Sequence, residues 1–147
     1  MKTNPQTKLT AVTKNDALFL YDLLKERKPN VNISHEKMPT YVQHIKFIES
    51  KPYSKWYVIK FNNKKIGSVY LSKQNEVGIF IKKNMHSQKL GTSVLNILMK
   101  KNHRKRYLAN INPKNKKLIG FFKKNGFELL QYTFELKKVW FLSMKIC

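Results

Sequence analysis

The stretch from Glu76 to Phe127 constrains this chain more than any other. It opens on a short apolar run, Val77-Gly-Ile-Phe-Ile81, flanked by charged residues, which reads as a buried strand. A polar segment follows and ends in Gln88-Lys-Leu-Gly-Thr-Ser93. From there the spacing of Val94, Leu95, Leu98 and Met99 predicts an amphipathic helix over 91–102. Tyr107-Leu-Ala-Asn-Ile111 is strand-like again. A strand, a helix and a strand in that order form a crossover, and a crossover joins parallel strands. The chain must therefore contain a layered α/β unit. A glycine-containing turn that feeds a helix also leaves backbone N–H groups unpaired at the positive end of the helix dipole. That arrangement suits a phosphate or pyrophosphate.

The flanking sequence extends the same pattern. Leu9-Thr-Ala-Val12 reads as a first strand, and Asp16 as the cap of a helix carrying Leu18, Phe19, Leu20, Leu23 and Leu24. Lys28-Pro29-Asn30 ends that helix, and Asn30 to Pro39 reads as a loop. Thr40-x-x-Gln43 is a capping box for a second helix. Strands at 55–61 and 65–71 flank the turn Asn62-Asn63-Lys64, and a third spans 76–82, giving an antiparallel meander. A helix over 116–124 and a final hairpin, 127–136 with 139–144, complete the chain. The expected class is α/β (α+β) with a mixed central sheet, in the order β-α-α-β-β-β-α-β-α-β-β. The 147 residues form a single domain, 1–147.

Composition narrows the function classes. No apolar run reaches the roughly 18 residues a membrane span needs, and the N-terminus has no secretory h-region. The single cysteine, Cys147, has no internal partner, so a reducing cytoplasm is the expected setting. The net charge of +22 attracts anions, but 27 of the 30 basic residues are lysine and are spread along the whole chain. Arginine, the usual reader of bases and bidentate phosphates, is scarce, which argues against nucleic acid as the partner. His35, His44, His86 and His103 are scattered without a ligand-type spacing, so no metal is expected.

Gln88, Gly91 and Ser93 stand in the pattern Gln/Arg-x-x-Gly-x-Gly/Ala after a hydrophobic strand. Asn115, Leu118, Phe122, Gly126 and Phe127 match a second pattern, Asn-x-x-Ala-x-x-x-Tyr-x-x-x-Gly-Phe. Both patterns and the element order resemble the acetyl-CoA-binding core of the GNAT acyltransferase superfamily. The resemblance implies an acetyl-CoA-dependent N-acetyltransferase that moves an acetyl group to a primary amine by direct attack. It places the CoA pyrophosphate on Gln88, Lys89, Leu90, Gly91, Thr92 and Ser93, and the CoA arm beside Asn115 and Phe122. It also implies that the strands before and after the crossover helix splay apart. Phe80 and Ile81 would then offer main-chain hydrogen bonds to pantetheine, and a backbone N–H would hold the thioester oxygen.

Two positions depart from the family. Phe122 stands where a Tyr acid is frequent, and Asn110 where a carboxylate base is frequent. Glu76 is then the first candidate base, acting through water, followed by His35 and Glu36 in the loop that would face the acceptor. A positive cleft favours a small anionic amine, such as an amino-sugar nucleotide, over a polyamine, and a protein N-terminus or lysine stays open as acceptor. An alternative is a non-catalytic basic module of the same fold that binds RNA or ribosomal surfaces through Lys100-Lys-Asn-His-Arg-Lys-Arg106. Trp140-Phe141-Leu142 would serve either a homodimer seam or an edge strand of the core.

Overall fold

The computed structural model describes residues 6–27 and 38–137. Its centre is an antiparallel sheet of four strands in sequential order: β1 (Thr7–Ala11), β2 (Lys55–Phe61), β3 (Lys64–Leu71) and β4 (Val77–Ile81). The β2–β3 turn holds Asn62 and Asn63 at φ 52° and 67°. Two successive residues at positive φ are what a tight hairpin requires, and asparagine tolerates that region.

Helices cover both faces of this sheet. Helix α1 (Ala17–Glu26) and helix α2 (Tyr41–Glu49) lie on one side, where Ala17, Leu20 and Ile48 cluster against Trp56. The expected capping box of α2 is present: Gln43 N–H donates to Thr40 Oγ1 at 3.1 Å and Thr40 N–H to Gln43 Oε1 at 2.9 Å. On the other side, helix α3 (Gln88–Lys101) buries Val94, Leu95 and Leu98 completely against Ile59, Val69, Leu71 and Val77. Helix α4 (Lys116–Lys124) adds Phe121 and Phe122 to the same core.

Several boundaries differ from the sequence expectation, each for a local reason. Helix α3 starts at Gln88 rather than Gly91, because Ser87 adopts extended geometry and its Oγ accepts from Leu90 N–H. Asp16 makes no cap bond to α1; its carboxylate instead serves Thr13, which caps a 3₁₀ turn at Lys14–Asp16. Residues 107–111 do not form a strand, since only Leu108 bridges to Glu76, in parallel. Residues 127–136 are likewise not a strand among the described residues, and Leu129, Leu130, Tyr132, Phe134 and Leu136 are exposed. The second half of the expected hairpin, 139–144 with Trp140, lies outside the described residues, as does the acceptor-facing part of the loop at 30–37.

Candidate active site

The bridge between Glu76 and Leu108 is where the site begins. Val77 N–H donates to Leu108 O at 2.7 Å and Leu108 N–H to Asn75 O at 2.8 Å, and there the pairing stops. Beyond it, one edge of β4 is open among the described residues. Which groups face that edge follows from the register. Lys82 N–H donates to Ile66 O and Ser72 N–H to Glu76 O, so even-numbered residues of β4 bond to β3. Phe80, opposite Ser68, therefore spends its amide and carbonyl inside the sheet. Ile79 and Ile81 turn theirs to the open edge, as Val77 does. Sequence reasoning named Phe80 and Ile81; the pair on the open edge is Ile79 and Ile81. The alternation of an antiparallel ladder would have identified Ile79 once the register was known. His86 Nε2 lies 2.6 Å from Ile81 O, so part of this edge already has a partner.

The N-terminus of α3 follows β4 after a short 3₁₀ turn at Lys83–Met85. Six residues, Gln88 to Ser93, carried the motif, but they are not equivalent here. Gly91 N–H donates to Ser87 O at 3.0 Å, and the amides of Thr92 and Ser93 continue that helical ladder. The N–H groups left over are thus those at Gln88 and Lys89, since Leu90 N–H already donates to Ser87 Oγ. Gly91 is buried, and a Cβ there would lie 2.7 Å from Cε1 of Phe121. Its lack of a side chain lets α4 approach α3. Ser87, unnamed in the sequence reading, caps this helix; a serine just before an apolar-periodic run was the available signal.

The other motif residues serve structure first. Asn115 is the N-cap of α4, with Leu118 N–H donating to its Oδ1 at 3.2 Å. Phe122 is buried, edge-on to Phe121 and Phe127 at 5.3 and 4.9 Å, so its ring belongs to the core rather than to an open cleft. The basic run at 100–106 is tied into the fold at several points. Asn102 Nδ2 donates to Leu98 O, Tyr107 OH to Asn102 O, and Arg104 Nη2 to Ser54 Oγ.

Glu76 sits at the bridge, half-buried. Its Oε1 accepts from Ser72 Oγ at 3.1 Å and its Oε2 from Asn110 Nδ2 at 2.7 Å. The two positions singled out as base and missing base are therefore hydrogen-bonded to each other. His35 and Glu36 lie outside the described residues.

Between α1, α2 and the α1/α2 face of β3 and β4 lies a cavity of about 410 Å³. Tyr53, Trp56 and Tyr70 form its aromatic wall, with Phe80 and Arg27 at its border. The rings of Tyr53 and Tyr70 stack at 3.8 Å, and Trp56 meets Tyr53 edge-on at 5.0 Å. Burial raises the pKa of both phenols, and the charge of Arg27 opposes that only in part. Both remain protonated donors at neutral pH. Arg27 rests its guanidinium 5.4 Å from the centre of the Phe80 ring. Its signal in the sequence was rarity, as one of three arginines at a helix end. The aromatic wall had none, because residues from a loop and two strands meet only in the folded chain.

An open strand edge, a helix N-terminus after it and a cavity against the same strand together define an acyl-CoA transferase architecture. The chain matches the acetyltransferase (GNAT) family over residues 17–127 and belongs to that family. It is accordingly an acyltransferase, and acetyl-CoA is its cosubstrate. Among solved structures, RimL, a ribosomal alpha-N-protein acetyltransferase in complex with coenzyme A, superposes with a TM-score of 0.70 at 13% identity, over 88% of this chain and 84% of that one. The microcin self-immunity acetyltransferase MccE, in complex with acetyl-CoA and AMP, gives 0.67 at 19%, over 89% and 83%. A spermidine N-acetyltransferase from Vibrio cholerae, a dodecamer, gives 0.68 at 17%, over 88% and 83%. At these identities the likeness establishes the fold. Comparison with curated proteins finds no match by sequence.

Proposed function

We propose that the protein transfers the acetyl group of acetyl-CoA to the primary amine of a small acceptor by direct attack. The observation that carries this reading is the free edge of β4 beyond the Glu76–Leu108 bridge, set between the N-terminus of α3 and the cavity. Ile79 and Ile81 offer main-chain groups of the kind that hold an extended pantetheine arm as an added strand. The amides of Gln88 and Lys89 take the pyrophosphate, with the Lys89 side chain exposed beside them. Asn115 borders the CoA arm at the N-terminus of α4, while Phe122, expected beside that arm, stays in the core behind it.

In the step itself the amine nitrogen forms a bond to the carbonyl carbon and the carbon–sulfur bond breaks. The attacking amine loses one proton, and the departing thiolate gains one. A thiolate needs little assistance to leave, since a thiol pKa is about 8.5. Glu76 is the proton acceptor in this reading, through a water, with Ser72 and Asn110 holding its carboxylate in place. His35 and Glu36 would supply the acceptor side of the loop. The net charge and the short supply of acidic residues favour an amine that carries an anionic group over a polycation. A reducing cytoplasm is the setting we assign.

The test exploits the position of Gln88 as the first residue of α3. Proline is tolerated there, and Ser87 before it is already extended at φ −162° and ψ 135°. Gln88→Pro deletes one amide and leaves the helix standing, while Gln88→Ala removes only the side chain. Acetyl-CoA at 100 times its Kd should stabilise the native chain by about 2.7 kcal/mol in a thermal melt. Gln88→Pro should lose at least about tenfold in affinity, as removal of a charge-assisted hydrogen bond implies. If Gln88→Pro binds acetyl-CoA as the native chain does, the pyrophosphate is placed wrongly. The variant Gly91→Val is a poor probe, because its side chain would strike Phe121.

A further inference from the structure

We infer that the acceptor is an amine carrying both a flat aromatic ring and an anionic group, the ring held by the Tyr53–Trp56–Tyr70 wall and the anion by Arg27. This assignment rests on the acetyl-transfer reading above and names the substrate class of that site. Two independent features point to it.

The first is shape. The ring of Tyr70 lies flat on the sheet over Gly78, where a Cβ would come within 2.2 Å of it. Tyr53 stacks on Tyr70 and Trp56 meets Tyr53 edge-on, so the three rings form a preassembled aromatic wall. Aromatic surfaces of this kind recognise another ring by stacking or edge contact. The second is charge. Among the described residues lining the cavity, Arg27 is cationic and none is a carboxylate, and Arg27 is in no ion pair among the described residues. Among the described residues a polyamine would find no carboxylate in the lining and only Glu76, whose charge reaches Tyr70, nearby. A carboxylate or phosphate would find a guanidinium held at the end of α1.

Two sources share this chemistry: the carboxylate of an aromatic amino acid and the phosphate of an amino nucleotide. The experiment measures kcat/KM with acetyl-CoA by thiol release. One arm compares L-tryptophan with L-tryptophanamide and L-alanine. The other compares 2′-amino-2′-deoxyadenosine 5′-monophosphate with its uncharged nucleoside. Spermidine is the reference polycation. In at least one arm the charged aromatic amine should exceed spermidine and its own uncharged counterpart by about 100-fold, the scale of a buried charge pair lost. Arg27→Gln should bring the charged-to-uncharged ratio to near one, with the acetyl-CoA thermal shift retained as the control for folding. Tyr70→Leu should instead erode the preference for tryptophan over alanine, or for the nucleotide over a ring-free amino phosphate, and leave the charge preference in place.

The arm that responds identifies the source of the anion. Equal or better turnover of spermidine, or an unchanged ratio in Arg27→Gln, overturns the substrate class while acetyl transfer stands. Failure of acetyl-CoA to shift the melt removes the underlying reading, and the class with it.

Discussion

Asp16 shows how one side chain takes on several tasks that a linear reading assigns singly. Its Oδ2 accepts from Thr13 N–H at 2.9 Å and its Oδ1 from Lys65 Nζ at 2.7 Å, and it is 8% exposed. Burial acts to raise its pKa, but Lys65 and the Thr13 amide outweigh that and hold it below the ordinary value. A carboxylate with a lowered folded pKa contributes stability above its unfolded pKa of about 3.9 and loses it as pH falls through the folded value. Asp16→Asn should therefore destabilise the protein by about 1–3 kcal/mol at pH 7, and by much less at pH 2–3, in urea unfolding at each pH. An equal deficit at both pH values would refute the ion-pair account. His44 has the opposite chemistry and the same sign. Burial lowers its pKa from 6.5, so the unfolded chain binds a proton that the folded chain resists. Stability should fall as pH drops from 7 towards 5, and His44→Phe should flatten that slope in a series of thermal melts.

Helix ends and glycines decide how the elements meet, and here the sequence was legible where a local rule suffices. Gly126 sits at φ 90°, Phe127 N–H donates to Phe122 O and Gly126 N–H to Lys123 O, a complete Schellman stop for α4. The sequence expectation of a helix over 116–124 ended it at that stop, and Thr40-x-x-Gln43 predicted the start of α2. What local rules cannot supply is the distance between strands. The residues 107–111 have a strand's composition, yet only Leu108 is paired, and composition carries nothing about how far they stand from β4. The same limit misplaced Phe80, since which edge of a strand a residue faces depends on a register fixed from outside it. Two glycines separate these influences. At Gly67 a Cβ would lie 2.4 Å from Phe80 O and 3.0 Å from Ile81 Cα, both backbone atoms that cannot swing away. Gly67→Ala should cost roughly 1–3 kcal/mol by prying β3 from β4. At Gly120, exposed within α4, a Cβ would meet nothing within 4 Å. Gly120→Ala should gain about 0.5–1 kcal/mol, since alanine loses less backbone freedom in a helix. Chemical denaturation of both variants checks the pair, and a stabilising Gly67→Ala would contradict the close approach.

Charge is the property that no single element owns. A formal +22 on 147 residues leaves most lysines without an acidic neighbour, since the chain has only 8 Asp and Glu. Among the described residues three ion pairs, Lys14–Glu49, Lys25–Asp22 and Lys65–Asp16, use three of those, and the first two are solvent-exposed. Exposed pairs of this kind contribute about 0–1 kcal/mol each, too little to offset self-repulsion across the surface. The fold is held by its apolar cores, and its compact state bears an electrostatic penalty that mobile ions relieve. Raising NaCl from about 10 mM to 150 mM shortens the screening length from about 30 Å to about 8 Å, below the width of the domain. The melting temperature should then rise by about 3–6 °C, equivalent to roughly 1–2 kcal/mol for a domain of this size. Acetyl-CoA binding should move the other way, because the same ions screen the field that draws its phosphates towards the first turn of α3. The two trends have one cause and opposite directions, so they can be read in one set of scans with and without acetyl-CoA. A melting temperature that stays flat with salt while affinity falls would confine the positive field to the α3 N-terminus, and would make the remaining lysines electrostatically silent.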